Sequence, residues 1–236
     1  MGSAPPWRAA LGLAAALALG GAAQAAASEP YPAMAPLSQY LMGDRAAEIA
    51  LARSAAPASV SGSAEVLVLE KQGFVRAAAG SNGFVCMVQR AWSGGLADPE
   101  FWNPRQRAPI CFNPEAARSV LPFFQARTQA VLAGVSREQI IERQRAEIAA
   151  GHVPAPAAGS LTYMMSKQGY LGDVPKGPWR PHLMFFFAPM ATADWGADLP
   201  GSPVSGAGGG AGPYTVFFVP LARWSDGSPD TAPPDS

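Results

Sequence analysis

The residue best suited to acid–base chemistry is His182, one of two histidines in the 236-residue chain. A neutral imidazole can take the proton of a serine hydroxyl when a carboxylate orients the ring, and Asp173 and Asp194 are the aspartates considered for that role. Because such triads are defined by geometry rather than by order along the chain, the sequence leaves open a hydrolase with His182 as general base. The other histidine, His152, follows a predicted helix, where a positive charge is favoured.

Common catalytic and cofactor-binding motifs are absent from the sequence. It contains no G-x-S-x-G, S-x-x-K, H-E-x-x-H or G-x-x-x-x-G-K-[ST] pattern and no calcium loop. Two histidines and two cysteines also leave few side chains to ligate a metal. We therefore expect no metal and no cofactor.

The loop from Ala91 to Pro109 is rich in side chains that recognise ligands. It contains Trp102, Arg105 and Arg107, and aromatic rings beside guanidinium groups can hold an anionic or sugar-like ligand by stacking and forked hydrogen bonds. Binding residues often lie on loops that a rigid scaffold positions. The three residues are therefore predicted to bind a ligand. The alternative is that the tryptophans close the edge of the core while the arginines face solvent.

Cys86 and Cys111 are the only cysteines in the chain. In an oxidising compartment an isolated pair most simply forms a disulfide. A loop of about 25 residues closed in this way contributes about 3 kcal/mol in the chain-entropy account. The alternative makes one cysteine a nucleophile with a histidine as its base. No C-x-x-C pattern indicates a redox or haem-binding site.

Residues 1–25 have the composition of a signal peptide. Arg8 is the only charged residue there, an apolar run follows it, and Ala23-Gln24-Ala25 offers small residues for cleavage. The run is too short and too rich in alanine for a membrane span, so no transmembrane segment is expected after cleavage. The sequence thus predicts an exported protein, periplasmic or extracellular, of the kind that bacteria secrete.

The charge balance excludes one class of partner. The whole chain has 17 basic and 17 acidic residues, and removal of residues 1–25 takes away one basic residue. A near-neutral domain has no surplus of positive charge for a phosphate backbone. Nucleic acid is therefore not expected as a partner, which leaves a small ligand or an envelope protein.

Residues 64–90 read as three strands joined by two tight turns. Glu65 to Glu70 is rich in Val and Leu, an alternating run restarts at Phe74, and Gly80-Ser81-Asn82-Gly83 carries the Asn-Gly signal of a hairpin. The third strand, Phe84 to Arg90, is apolar on both faces, which predicts a position in the middle of the sheet with material packed on each side.

Helix signals follow this meander. Asn113-Pro114 fits an N-cap and first turn, Pro122 predicts a kink or a second helix, and Ser136 with Gln139 forms a capping box. Further along, Leu161 to Ser166 reads as a short strand, and the apolar runs His182 to Phe187 and Tyr214 to Leu221 read as strands that pair antiparallel.

These elements predict an α+β fold. Its antiparallel sheet would have about five or six strands, the meander plus the C-terminal strands, with three or more helices packed on it. The predicted organisation is a signal peptide (1–25), an N-terminal helical segment (26–62), one α+β domain (63–224) and a disordered tail (225–236).

Three functional hypotheses are compatible with these residues. The first is a non-catalytic domain that binds a ligand or partner, which the aromatic loop and the lack of catalytic motifs favour. The second is the hydrolase with His182 as base. The third is an envelope-associated structural protein in which the meander and the disulfide serve as scaffold.

Overall fold

The computed structural model describes residues 30–173, 179–208 and 212–231. The predicted signal peptide, residues 1–25, lies outside these ranges. Within them, no helix combines the length and the apolar character that a membrane crossing requires.

The described strands form one sheet. They are β1 (Glu65–Glu70), β2 (Gly73–Ala78), β3 (Val85–Gln89), β4 (Ala108–Phe112), β5 (Leu161–Met164), β6 (His182–Phe187), β7 (Ser205–Ala207) and β8 (Thr215–Pro220). Their spatial order is β2-β1-β3-β4-β5-β6-β8-β7. Only β1 and β3 are parallel neighbours, and the other six pairings are antiparallel. The predicted α+β class is confirmed, with eight strands rather than five or six.

The two strands that sequence patterns missed are β4 and β7. Strand β4 contains Pro109, which lacks a backbone donor and normally argues against a central strand. The amides of Arg107 and Asn113 donate to Tyr170 and Leu161, on the side away from β3. Pro109 lies two residues after Arg107, so its nitrogen also points away from β3. The β4–β5 pairing includes only Cys111 and Phe112, so no strand hydrogen bond is lost at Pro109.

Helices cover both faces of the sheet. The α-helices are α1 (Arg45–Arg53), α2 (Ala58–Ser61), α3 (Pro114–Ser119), α4 (Leu121–Leu132) and α5 (Arg137–Ala149). Helix α1 packs on the face that carries Cys86 and Val88. Helices α3 and α4 pack on the opposite face, around Met87 and Ile110. The prediction that β3 lies inside the sheet with both faces covered is confirmed.

The helix ends follow the local signals. The Asp44 carboxylate accepts the amides of Ala46 and Ala47 at the start of α1. The capping box of Ser136 and Gln139 begins α5. Pro122 lies in the first turn of α4, so the chain starts a second helix there rather than kinking one.

The predicted meander is wrong in its second connection. Strands β1 and β2 form the expected hairpin, but β3 pairs with β1 in parallel, and so lies on the other side of β1 from β2. The physical reason is burial: β3 is apolar on both faces and takes the interior position, whereas β2 exposes Arg76 and stays at the edge. The chain therefore crosses the start of β1 through Gly80–Gly83.

The C-terminal strands pair as predicted. Strand β6 lies between β5 and β8, in antiparallel register with both. After β8 the chain folds back: Arg223 bridges Pro229, and the Asp230 amide donates to the Ala222 carbonyl at 2.9 Å. Residues 225–228 of the predicted tail form a turn between the two bridged residues. Residues 232–236 lie outside the described residues, and the bounds of the tail stay a prediction.

Candidate ligand-binding site

A cavity of about 330 Å³ lies between α4, α5 and the start of β8. Its walls are mainly apolar, and the side chains that form them come from these elements and from the segment after α5: Phe123, Ala126, Ala130, Ile140, Val153 and Tyr214. Known ligand pockets start at about 300 Å³, so the space is sufficient for a small molecule. An apolar cavity of about 150 Å³ binds benzene, and this one can therefore hold a molecule about twice that size.

Helical spacing places the wall residues on facing surfaces. Phe123, Arg127 and Ala130 stand at i, i+4 and i+7 on α4, so they share one side of that helix. Ile140 and Gln144 occupy the matching side of α5, and both are buried. The short connection after α4 turns the chain back, which brings the two apolar stripes face to face.

Tyr214 closes the cavity on the sheet side. Its ring packs edge-on against Phe123 at a centroid distance of 5.5 Å. Its hydroxyl lies 3.5 Å from the Ser119 carbonyl, at the limit of a hydrogen bond. Burial raises the pKa of Tyr214 to about 12, so the hydroxyl stays protonated and can donate a hydrogen bond.

A buried cation, Arg127, forms part of the cavity wall. Its side chain donates to the carbonyls of Trp92 and Gly94, at 3.2 and 2.8 Å, and to Oε1 of Gln144, at 2.7 Å. The guanidinium also lies over the Phe123 ring, with Cζ 5.0 Å from the centroid. Burial lowers the pKa of Arg127 to about 10, which leaves it a cation at pH 7.

The mouth of the cavity is polar. Arg143, Glu147 and His152 lie there and are exposed. Nδ1 of His152 is 3.1 Å from Oε2 of Glu147, and the His152 amide donates to the Glu147 carbonyl at 3.0 Å. His152 thus ends α5, as its position predicts, and also contributes to the rim.

Trp102, Arg105 and Arg107, predicted to bind a ligand, contribute nothing to this cavity. Trp102 is only 6% exposed and packs edge-on against Phe101 in the core, as the alternative for the tryptophans expects. Arg107 is half-buried, and its Nη1 donates to the Pro104 and Gln106 carbonyls at 2.8 and 2.7 Å. Burial, followed by the charge of Arg90, lowers the pKa of Arg107 to about 10.

Arg105 lies on the surface in a polar cluster. It forms an ion pair with Asp173, whose carboxylate also accepts the hydroxyls of Tyr31 and Tyr170. The Tyr31 hydrogen bond, together with Arg105, holds the pKa of Asp173 below its usual value. The three predicted ligand-binding residues thus have separate partners, and their role in binding stays a prediction.

His182 lies half-buried among apolar and aromatic groups. Its Nδ1 is 2.8 Å from the Arg180 carbonyl, and its ring packs against Trp179 and Phe218. Nδ1 therefore carries the proton of the neutral ring, which leaves Nε2 as the basic nitrogen. Burial lowers the pKa of His182 from its usual value and favours this neutral form.

Among the described residues, no hydrogen bonds assemble a triad around His182. The only hydrogen-bond partner of its ring there is the Arg180 carbonyl. Asp173 is held by the surface cluster. Trp195, in the turn that carries Asp194, stacks on Phe217, on the opposite face of the sheet from His182. The hydrolase hypothesis thus stays a prediction.

Cys86 and Cys111 lie at disulfide-bonding distance, directly opposite each other on β3 and β4. The bond is buried beneath α1, with Sγ of Cys111 3.8 Å from the Ala52 carbonyl. No group of three or more His, Cys, Asp or Glu side chains in the described ranges is arranged to hold a metal ion.

Sequence reasoning missed Arg127, Gln144 and Tyr214. One signal was present: Arg127 interrupts an apolar helical stripe between Phe123 and Ala130, and a charged residue inside such a stripe is unusual. Nothing local connects that stripe with Tyr214, which reaches the cavity only because β8 pairs with β6.

No protein-family model, no curated protein and no solved structure matches the chain. Its function therefore has to be inferred from its own residues.

Proposed function

We propose that the protein is an exported, non-catalytic binding protein that holds a small, largely apolar molecule between α4 and α5. The observation that carries the proposal is the cavity itself. It is large enough for a ligand, its walls are apolar, and a few polar groups converge on it, which is the usual composition of a ligand site.

The shallow docking of α5 also supports this function. Of its 13 residues only Ile140 and Gln144 are buried, and Ile140 and Gln144 both line the cavity. A helix with so few buried contacts opens at low cost, which gives a ligand access. A bound apolar molecule would bury further surface of α5 and so stabilise its docking.

The export part of the proposal rests on the signal-peptide pattern and on the internal cysteine pair. A buried pair at bonding distance is consistent with an oxidising compartment such as the periplasm or the extracellular space. The cavity favours a small ligand over an envelope protein as the partner, because the space is a half-open cleft between α4, α5 and Tyr214 rather than a flat surface.

The test is a titration of the mature protein with N-phenyl-1-naphthylamine, a neutral fluorophore that brightens in apolar surroundings. We expect saturable binding at one site. Ala130→Phe should weaken binding by at least about tenfold, because the new ring occupies the cavity. Hydrogen exchange should show slower exchange of α5 amides when the fluorophore is bound.

The matched control is Ala146→Phe, which introduces the same ring on the exposed side of α5, away from the cavity. This variant should bind the fluorophore like the unmodified protein. Absence of saturable binding, or equal binding by the Ala130→Phe variant, would contradict the proposal.

A further inference from the structure

Arg127 differs from an ordinary surface arginine in its burial and in its partners. It is only 9% exposed, and its acceptors are two backbone carbonyls and one amide oxygen, all of them neutral. Of the five N–H groups of a guanidinium, Nε–H has no acceptor among the described residues. The hydrogen-bonding capacity of the side chain is therefore not exhausted.

The positive charge of Arg127 is also uncompensated. No carboxylate in the described ranges forms an ion pair with it. Desolvation alone accounts for its lowered pKa, with no opposing contribution from an acidic neighbour. A buried cation that lacks a counter-charge is costly, and buried charges are as a rule paired.

Charged side chains at the cavity mouth do not supply the missing counter-charge. Glu147 contacts His152, and Arg143 adds a second cation to the wall. Arg127, Arg143 and Glu147 together give the wall a net charge of one positive unit, even with His152 neutral. An anionic group is thus the complement of this wall, whereas a cationic ligand would meet two arginines.

We propose that the ligand of the α4–α5 cavity is a small amphipathic acid, in which an apolar body fills the space beside Phe123 and an anionic oxygen group, such as a carboxylate, neutralises Arg127. This inference rests on the proposed function, because it names the chemical class of the ligand at the same site. A charge-assisted hydrogen bond to a guanidinium is roughly twice as strong as one between neutral groups, which gives the acid its advantage over a neutral analogue.

The experiment compares acids with alcohols of the same skeleton. Bound N-phenyl-1-naphthylamine is displaced with decanoate or 1-decanol, and with 1-naphthylacetate or 1-naphthaleneethanol. We expect each acid to displace the fluorophore at a concentration at least about tenfold lower than its alcohol. The two pairs distinguish an aliphatic from an aromatic body, and a preference for the acid in either pair supports the inference.

Two variants locate the source of the preference. Arg127→Met keeps an unbranched apolar stem but removes the charge, so acid and alcohol should bind within about threefold of each other. Arg145→Gln is the matched control, because it removes an exposed cation of α5 that does not line the cavity, and it should keep the preference. Arg127→Lys retains the positive charge and should restore part of the preference that the methionine removes.

The outcomes separate this inference from the proposed function. Equal displacement by acid and alcohol in the unmodified protein would overturn the anionic ligand while leaving an apolar cavity that binds. A preference kept in the Arg127→Met variant, or lost in the Arg145→Gln variant, would overturn the role of Arg127. If the fluorophore itself does not bind, the proposed function fails. Because the acid and alcohol comparison uses the unmodified protein, it stands even if the Arg127→Met variant does not fold.

Discussion

Arg90 and Arg127 are both buried, but their charges are compensated differently. Arg90 is fully buried, and its Nη2 lies 2.8 Å from Oε1 of Glu48, which is itself buried. Burial lowers the pKa of Arg90, and Glu48 opposes that shift. Arg127 has only neutral acceptors. The first arginine thus belongs to a closed structural pair, and the second remains available to a ligand.

Removal of Glu48 should be strongly destabilising. Its Oε1 accepts both from Arg90 and from the Leu69 amide, so Glu48→Ala leaves the buried Arg90 cation without its counter-charge and removes the acceptor of the Leu69 amide. We expect a loss of about 3–5 kcal/mol in the free energy of unfolding, measured with urea. The control is Glu70→Ala, which breaks the exposed pair with Arg45 and should cost about 1 kcal/mol or less. Equal losses in both variants would contradict this account.

At the residue scale, the sequence predicts which residues cap helices but not which arginines are buried. Asp44, Asn113 and Ser136 could be recognised as caps because a cap depends on neighbours within four residues. Whether an arginine is buried depends on distant segments. Arg90 lies under Tyr40, to whose carbonyl it donates at 2.7 Å, and no local pattern shows that contact.

The connection from β2 to β3 is the element that most changes the fold relative to its sequence pattern. The Ser81 amide donates to the Ser63 carbonyl at 2.9 Å, and Nδ2 of Asn82 donates to the Val60 carbonyl at 2.7 Å. The Asn82 carboxamide oxygen also accepts the Phe84 amide at 3.1 Å. Asn82 and Gly83, which has a φ of +78°, therefore turn the chain across β1 instead of forming a hairpin.

Gly80 should tolerate no side chain at this crossing. A Cβ there would overlap the backbone of Ala64 and Glu65, at the start of β1. We expect Gly80→Ala to lower the free energy of unfolding by about 1–3 kcal/mol, because backbone atoms can relieve the overlap only by moving. Gly95→Ala is the control, since no atom lies within 4 Å of its added Cβ. An unchanged free energy of unfolding in the Gly80→Ala variant would contradict the close contact at this crossing.

The existence of most elements could be predicted from the sequence, but their pairing could not. Apolar and alternating runs identified β1, β2, β3, β5, β6 and β8 because such patterns are local properties of the sequence. The order of strands depends instead on which strand buries more surface. Strand β3 therefore pairs with β1, on the side away from β2, instead of forming a hairpin with β2. Strand β4 was missed because Pro109 is a strong signal against a central strand.

At the scale of the whole molecule, the Cys86–Cys111 bond lies in the part of the sheet that α1 covers. It joins neighbouring strands that already form five register pairs, and α1 packs over it. The cavity, in contrast, lies under α5, where burial is sparse. The molecule thus combines a rigid half around the disulfide with a more open half around the proposed ligand.

Loss of the disulfide should lower stability without changing the sheet. The sequence separation is 25 residues, and a loop of that length corresponds to about 3 kcal/mol in the chain-entropy account. We expect a loss of roughly that size for the double variant Cys86→Ala and Cys111→Ala in urea unfolding, with an unchanged circular dichroism spectrum. A reductant should destabilise the unmodified protein only, and an effect on the double variant as well would contradict the role of the bond.

The cavity itself was beyond prediction from the sequence. It needs the apolar stripes of α4 and α5 to face each other and Tyr214, the residue before the distant strand β8, to lie against them. Stripe positions follow from helical spacing, but the gap between two stripes depends on how closely the helices pack. That distance is set by side chains such as Arg127 and Gln144, whose hydrogen bond holds the two helices together.

Pro109 bears on how the sheet assembles. From β3 to β6 the strands adjoin in their order along the chain, so the sheet can grow from its N-terminal side. Until β5 pairs, β4 is the open edge of that incomplete sheet, and an open edge invites pairing with other chains. Because Pro109 turns a nitrogen without hydrogen toward that edge, the unfinished intermediate carries its own protection against intermolecular pairing.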